Sequence, residues 1–441
     1  MQHQHLFNIR HLLYKLRGGF LIRPIVIALI FGFLGAFLST WEEGHPGLGK
    51  LVPTFLFPSH DDPQIAQIIL SSIATSMMTV VAIVFSILLM TLTLASMQFS
   101  PRIIVSFVND RVTQQTLGIF LGTFLYCIAA LPAARKVPLP FSPVLTVMGA
   151  MVLALACVAW LIFFISHISQ SISVNNIVDR IARETETMID SLMPENNYQD
   201  TEQSDLFDQP SPYDSPVLSK VSGYIHTIDP RHLVAIAKSN RITVRVLRRF
   251  GHFVPHGVPL LTVSKAQRNS PELSEDLRRA FQFGPTRTLE QDIQFGILQI
   301  VDIALKAISP AVNDPSTAIT CVDQLSSILI KYSSGSAVQS RYYDPPGVLR
   351  VVIPNLGLER LSESAFEQIR TYANSDVAVS LRLMRAFADI AVTLPNTKDR
   401  LVLVNHGRRV LAGFTASPGE DVLAEMKNRL SSLEKMAESA S

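Results

Sequence analysis

The sequence predicts an α-helical transmembrane protein with four spans, followed by a cytoplasmic α+β domain with a small β-barrel-like subdomain and C-terminal helices. Three observations predict this class. The chain of 441 residues is 48% hydrophobic and only 17% charged, with a mean hydropathy of +0.29, which is more apolar than soluble proteins are. Its long apolar runs all precede about residue 180. The remainder alternates short strand-like and helix-like patterns.

Four apolar runs are long enough to cross a bilayer, whose hydrocarbon core of roughly 30 Å needs about 20 helical residues. They cover about residues 22–41, 65–100, 114–131 and 141–168. The first is longer than the apolar core of a secretory signal and no small-residue cleavage site follows it, so we expect a retained anchor. Trp41 and Tyr126 fall near the outer ends of their spans, which predicts that they belong to the aromatic belt of the membrane interface.

The distribution of Lys and Arg near the span ends predicts the orientation, because these residues favour the cytoplasmic side. The basic segments are the N-terminal arm, the loop between the second and third spans, and the stretch after the fourth. They contain Arg10, Lys15, Arg17, Arg23, Arg102, Arg111, Arg180 and Arg183. Arg135 and Lys136, between the third and fourth spans, oppose this pattern. The balance predicts that both termini lie in the cytoplasm.

The second and fourth runs predict unusually long helices. The second carries no charge for about 36 residues, and as one helix it would measure roughly 54 Å, which exceeds the hydrocarbon core. We expect it to tilt or to project into the cytoplasm. The fourth continues into an amphipathic segment that ends near residue 194, which predicts one unbroken rod between membrane and cytoplasm. Residues 1–194 are therefore the predicted transmembrane domain with its helical extension.

Hydroxyl side chains recur on one side of the second span. At 100° per residue the members of this stripe fall within about 60° of one another; they are Ser72, Thr75, Thr79, Ser86 and Thr93. Two explanations stay open. Hydroxyl residues bond to their own backbone and let helices pack closely. Alternatively, copies of the span around an axis line a pore, in which hydroxyls replace part of an ion's hydration. In the second case Arg102 and Arg111 lie at the pore mouth and favour anions.

The predicted membrane core lacks the charged residues on which many membrane proteins depend. It contains no Asp, Glu, Lys or Arg, and His167 lies near the inner end of the fourth span, where we expect an interfacial position. This pattern argues against proton relays, ion-coupled transporters and intramembrane proteases. Gly118 and Gly122 form a GxxxG pattern on the third span, which is typical of close helix contact within or between subunits.

The sequence carries no signature of an enzyme, a metal site or a nucleic-acid-binding protein. A P-loop, a strand followed by GxGxxG, a nucleophile elbow and kinase motifs are all missing, so we assign no catalytic residue and no cofactor. Cys127, Cys157 and Cys321 are too far apart for a disulfide framework or a metal motif. His252 and His256 lie on a turn without a third ligand, so we assign no metal. A net charge of +2 is too small to indicate nucleic acid.

The second half predicts a linker and a two-part cytoplasmic domain. Residues 195–216 are acidic, contain proline and lack Lys and Arg, which predicts a mobile linker. Residues 217–441 form the domain, with a β-rich part at 217–265 and a mainly helical part at 266–441. The stretch "GHFVPHGVPLLTV" is similar to the turn of biotinyl-type half-barrels but has no modifiable lysine at its tip, so only the shape is inferred.

Two helices flank the stretch "SPAVNDP" in the helical part. Thr288 with Gln291 predicts a capping box for the first helix, and Asp314 with Pro315 predicts the start of the second. Two explanations of the intervening turn stay open. It is either a stiff connection whose polar side chains satisfy free backbone groups, or a ligand or ion site with oxygens from Asn313 and Asp314.

Several stretches resemble a bacterial family of predicted membrane proteins, domain of unknown function twenty-two fifty-four. They are "ASMQFSPR", "DRVTQQTLGIFLGTF", "FISHISQSI" and "IVDIALKAISPAVNDPSTA", of which the last is specific. The resemblance covers nearly the whole chain. It implies four spans and a cytoplasmic domain in the bacterial inner membrane, and it transfers no functional residue.

The leading hypothesis is a homo-oligomeric, ion-channel-like pore in the inner membrane, with a cytoplasmic domain that gates or senses. The implied partners are the lipid bilayer, further copies of the chain and inorganic ions, with no nucleic acid. The alternative is a membrane-anchored signalling or scaffold protein without a permeation pathway. A hydrolase or transferase comes third, and we expect the protein not to be an enzyme.

Overall fold

The computed structural model describes residues 22–45, 62–98, 110–135, 141–171, 173–192, 215–264, 270–334, 340–345, 347–415 and 420–438. Contacts divide the chain into two compact units, Met1–Ser173 and Val174–Ser441. Each unit has its own apolar core.

Among its described residues, the first unit contains four helices that are long and apolar enough to cross a membrane, as the sequence predicts. They are α1 (Ile22–Gly44), α2 (Pro63–Gln98), α3 (Arg111–Ala130) and α4 (Val144–Ser171). A short 3-10 turn (Leu131–Ala133) follows α3. The uncharged second run forms a single helix of 36 residues, α2, which packs chiefly against α3 and to a smaller extent against α4.

Glycines allow α1 and α3 to approach closely. A Cβ atom on Gly118 or Gly122 would lie 2.9 Å from the side chain of Ile27 or Phe31 of α1, respectively. On the opposite helix, a Cβ on Gly35 would lie 2.5 Å from the backbone oxygen of Tyr126. These separations leave no space for a larger residue. The GxxxG pattern of the third span therefore mediates helix contact within one chain.

Two expectations for this unit are wrong. Tyr126 is 1% exposed and donates a hydrogen bond to the backbone oxygen of Thr146 at 3.0 Å, so it belongs to the helix interface and not to an aromatic belt. The fourth helix does not form an unbroken rod either. It ends at Ser171, where the hydroxyl bonds to the backbone oxygen of His167 at 2.8 Å, and Ser173 lies outside both flanking helices. Such hydroxyl bonds compete with the helical ladder.

The second unit combines two sheets with nine helices among its described residues. The helices are α5 (Val174–Leu192), α6 (Pro230–Asn240), α7 (Pro271–Arg278), α8 (Ile293–Ala307), α9 (Pro315–Ser334), α10 (Leu358–Tyr372), α11 (Val377–Thr393), α12 (Thr397–Gly413) and α13 (Glu420–Glu438). The strands are β1 (Ser215–Leu218), β2 (Gly223–Ile228), β3 (Val244–Val246), β4 (Phe253–Val254), β5 (Pro259–Val263), β6 (Phe281–Gly284), β7 (Arg341–Asp344) and β8 (Val348–Val352).

Both sheets are open. One has the order β1-β5-β3-β8-β7 and the other β4-β2-β6, and only the β3–β8 pair among these described strands is parallel. No closed barrel occurs in the described part of the chain, so the β-barrel-like subdomain is not confirmed. The sheets recruit β6, β7 and β8 from beyond residue 265, because their pairing is set by tertiary packing that a local pattern does not reveal.

The helices of the second unit enclose a separate apolar layer. α8 packs against α9, α10 and α5, and Phe366 of α10 meets Phe387 of α11 edge to face at 5.2 Å. The amphipathic helix α5 buries Ile177, Ile181 and Met188. A hydrogen bond also joins α5 to α9, because the Ser327 hydroxyl of α9 donates to Glu186 of α5 at 2.6 Å.

Candidate functional site

The predicted hydroxyl stripe lies on the outer face of the four-helix unit. Ser72, Thr75, Thr79, Ser86 and Thr93 are all exposed within the chain. The opposite face of α2 is buried and consists of Ala66, Leu70, Ala74, Met77, Val84 and Thr91. At 100° per residue the centres of the two faces are about 180° apart. Contacts among the described residues therefore do not explain the stripe.

Two of the exposed hydroxyls donate their hydrogen to the backbone of their own helix. Thr79 donates to the backbone oxygen of Thr75 at 3.2 Å, and Thr93 donates to that of Leu89 at 2.8 Å. A hydroxyl has one hydrogen to donate and two lone pairs to accept with. With the hydrogen turned to the backbone, these two threonines present oxygen acceptors on the outer face.

The predicted pore mouth is described only in part. Arg102 lies outside the described residues, whereas Arg111 is the exposed first residue of α3. The preceding residue, Asp110, caps this helix by accepting the Thr113 backbone N–H at 2.9 Å. His167 of α4 lies 3.2 Å from the same carboxylate, so it ties the start of α3 to α4.

A buried carboxylate that the sequence did not single out joins α1 to α4. Glu42 is 1% exposed and accepts the backbone N–H groups of Leu145 and Thr146 at 2.7 and 2.9 Å, and the Thr146 hydroxyl at 2.8 Å. It caps the N-terminus of α4, where a negative charge is favourable. The adjacent Glu43 pairs with Arg135. This pairing offsets the charge of one of the two basic residues, Arg135 and Lys136, that oppose the predicted orientation.

The "SPAVNDP" turn has the geometry of a stiff connection between helices. Asn313 is exposed in the left-handed region, with φ of 50°, and its backbone N–H donates to Ser309 at 2.9 Å. Asp314 caps α9: one oxygen accepts the Thr317 N–H at 3.1 Å and the other accepts its hydroxyl at 2.6 Å. These bonds hold the Asp314 pKa below its ordinary value. Both carboxylate oxygens therefore already serve the cap.

A second polar cluster, also missed by the sequence patterns, lies where α8 begins. The N-cap of α8 is Asp292, and not the predicted capping box of Thr288 and Gln291. Asp292 is 4% exposed and pairs with Arg287 through bonds of 2.7 and 2.9 Å. It also accepts the Phe295 backbone N–H at 3.1 Å. Desolvation raises the pKa of Asp292, and Arg287 opposes that rise. Asp292 was recognisable only as a residue before an apolar helical run.

The two histidines do not converge. His252 accepts a hydrogen bond from the Arg249 side chain at 2.8 Å, whereas His256 lies exposed on the turn before β5. Burial and the nearby arginines lower the His252 pKa to about 4. Among the described residues, no group of three His, Cys, Asp or Glu side chains is placed to hold a metal ion.

Comparison with known proteins gives a family and no activity. A family model described as predicted membrane protein (DUF2254) matches residues 17–389. Uncharacterized proteins of Mycobacterium bovis and of Mycobacterium tuberculosis strains H37Rv and CDC 1551 are each 32% identical to the chain. Each match spans 364 residues, which is 80% of this chain and 69% of the relative. No solved structure matches the chain.

Proposed function

The chain belongs to the DUF2254 family of predicted membrane proteins, and we propose that it is a homo-oligomeric, ion-channel-like protein of the bacterial inner membrane. In this proposal both termini lie in the cytoplasm. α2 lines the permeation pathway at the contact between copies, and the second unit gates it or senses a signal.

The observation that carries the proposal is the position of the hydroxyl stripe opposite the buried face of α2. A face that meets only lipid gains nothing from aligned hydroxyls, because lipid tails offer them no hydrogen-bond partner. A face that meets water at a symmetry axis gains polar groups without fixed charge. The stripe covers most of the span, from Ser72 to Thr93.

Hydrogen-bond polarity bears on the permeant ion. Thr79 and Thr93 present oxygen acceptors, which substitute for the water around a cation. Arg102 and Arg111, if they lie at the mouth, favour anions by their charge. Reversal potentials under a KCl gradient distinguish these effects: a cation-selective current assigns selectivity to the hydroxyl face, and an anion-selective current assigns it to the arginines.

A membrane-anchored scaffold or signalling protein is the second candidate function. The observation that favours it is that Thr79 and Thr93 already bond to their own backbone, which makes hydroxyls tolerable in lipid. In that case copies associate through the spans, and no pathway exists between them.

Planar bilayer recordings on the purified full-length chain test the two candidates. We expect unit currents from the wild type and an altered unit conductance from the double variant Thr79→Val and Ser86→Val. Thr91→Val is the matched control, because Thr91 makes the same backbone bond, at 2.8 Å to Ile87, on the buried face of the same helix. An intact oligomer that passes no current would support the scaffold. If the double variant and Thr91→Val had the same unit conductance, the stripe would not line the pathway.

A further inference from the structure

Two neighbouring segments of the second unit expose apolar side chains. They are residues 218–222, between β1 and β2, and residues 253–258, from β4 to the turn before β5; together we call them the apolar edge. Its side chains include those of Leu218, Val221 and Phe253, which are 44%, 47% and 51% exposed. Isolated apolar residues are ordinary on a protein surface, whereas a group of them rimmed by polar residues marks an interaction site.

Hydrogen bonds join the two segments of the apolar edge. The Ser219 backbone N–H donates to the Val258 oxygen at 2.9 Å, and the Gly257 N–H donates to the Ser219 oxygen at 2.8 Å. Pairing of β2 with β4 places Tyr224 opposite Phe253, and their rings meet edge to face at 5.2 Å. The exposed apolar side chains therefore belong to one surface and not to two independent loops.

Basic side chains lie within the apolar edge and beside it. Lys220 stands between Leu218 and Val221 in the chain, and its side chain is 64% exposed. Arg278 of α7 donates to the Leu218 backbone oxygen at 3.3 Å. These two cations share one acid, since Glu275 pairs with Lys220 at 2.7 Å and with Arg278 at 3.2 Å. The shared acid thus balances only one of the two positive charges.

The other side of the apolar edge also lies near basic residues. His252 precedes Phe253 and accepts a hydrogen bond from Arg249 at 2.8 Å. The charge of Arg248 also acts on this histidine. The whole chain has 38 Lys and Arg against 36 Asp and Glu, yet residues 215–264 contain seven Lys and Arg and a single acid. The β-rich segment that carries the apolar edge is thus strongly basic.

We propose that the apolar edge binds the surface of an anionic lipid bilayer. Apolar side chains that project among basic ones suit this partner, because the apolar groups enter the headgroup region while the basic groups attract anionic headgroups. The chain belongs to a family of predicted membrane proteins, so its second unit is tethered to a bilayer, and a tether raises the local concentration of the lipid surface. This contact goes beyond the proposed permeation and does not depend on it.

Hydrogen–deuterium exchange of the full-length chain in lipid nanodiscs tests this contact without any current measurement. One nanodisc contains phosphatidylcholine alone, and the other contains phosphatidylcholine mixed with phosphatidylglycerol, which is anionic. We expect backbone amides of the apolar edge to exchange about tenfold more slowly in the anionic nanodisc, and high salt to reduce this difference. Equal exchange in the two nanodiscs would overturn the proposal, because contact with a second copy or with the acidic residues 195–214 does not require lipid charge.

Variants separate this contact from a general effect of charged lipid. Val221→Ser removes an exposed apolar side chain from the edge and should reduce the difference between the nanodiscs about threefold. The reduction is read at residues 253–258, whose intrinsic exchange the substitution does not change. Val392→Ser is the matched control, since Val392 is 66% exposed on α11 of the same unit. If both variants kept the wild-type difference, or lost it equally, the proposal would be wrong. Leu218→Ser provides the same test if Val221→Ser does not fold.

Discussion

The two units satisfy their polar groups in different ways. In the membrane unit, most exposed hydroxyls of α2 bond within one turn of their own helix, as Thr79 and Thr93 do. In the second unit, polar side chains reach distant segments: Ser327 bonds to Glu186, and Gln291 accepts the Ile228 backbone N–H at 3.0 Å. Local bonds fix little beyond the helix itself, whereas long-range bonds fix the tertiary structure. Outside the Glu42 cap and the Asp110–His167 contact, we therefore expect the first unit to be sensitive mainly to steric changes, and the second to changes in charge.

The protein offers a way to follow the units separately. Its two tryptophans, Trp41 and Trp160, both belong to the membrane unit. Thermal unfolding by tryptophan fluorescence therefore reports the first unit, and far-ultraviolet circular dichroism reports both. The variants below are compared by their effects on these two transitions.

The largest effect is expected from Asp292→Asn, which leaves Arg287 without its buried counter-charge. Loss of one partner of a buried ion pair costs about 3–5 kcal/mol. We expect the dichroism transition to fall and the tryptophan transition to stay. Asp389→Asn is the control, since this exposed acid contributes at most about 1 kcal/mol. If the tryptophan transition fell as far as the dichroism transition, the two units would not unfold independently.

The next largest effect is expected from Gly35→Ala in the membrane unit. The new Cβ would lie 2.5 Å from a Tyr126 backbone atom, and such overpacking costs about 1–3 kcal/mol. Gly32→Ala is the matched control one turn away, because its Cβ would make an ordinary contact of 3.4 Å with Leu125. We expect the tryptophan transition to fall only for Gly35→Ala. Equal shifts in both variants would contradict the close helix contact.

A smaller effect is expected from pH at His252. Burial and Arg249, Arg248 and Arg287 lower its folded pKa to about 4, below the ordinary value near 6.5. Between these values the unfolded chain binds more protons, so stability falls as pH decreases from about 6.5 to 4. His252→Gln keeps an acceptor for Arg249 but does not titrate there. Its dichroism transition should therefore decline less with falling pH than that of the wild type, and identical declines would contradict the assignment.

The smallest effect on stability is expected from Thr79→Val, which changes an exposed side chain. Its tryptophan transition should stay within about 0.5 kcal/mol of the wild type, whatever the variant does to conductance. A large loss of stability in detergent-solubilised monomers would place Thr79 in a packed contact and contradict the outer position of the stripe.

The sequence predicts those features that depend on periodicity. The four apolar helices and the alignment of hydroxyls on α2 follow from residue spacing alone. Residue spacing does not show whether the stripe faces inward or outward, because that depends on which side of α2 is covered by α3 and α4. Tyr126 was misplaced for the same reason: its sequence position suits an interface, yet Gly35 lies against its backbone and Gly149 makes room for its phenol group between helices.

Features that require distant segments to meet were not accessible from the sequence. Asp292, Gly251 and Arg249 come together only when the loop after β3 packs against the start of α8. The predicted continuous helix is interrupted at Ser173, and no proline or glycine in the sequence marks this break. The positions of Asn313 and Asp314 were read correctly as a turn, and their use as ligands remains a prediction.

The cap that Glu42 forms on α4 has a mechanical consequence. Sliding α1 along α4 would break three hydrogen bonds to one carboxylate at once. We therefore expect these ends of α1 and α4 to move as one rigid body, with any relative tilt concentrated near Ile22 and Ser171.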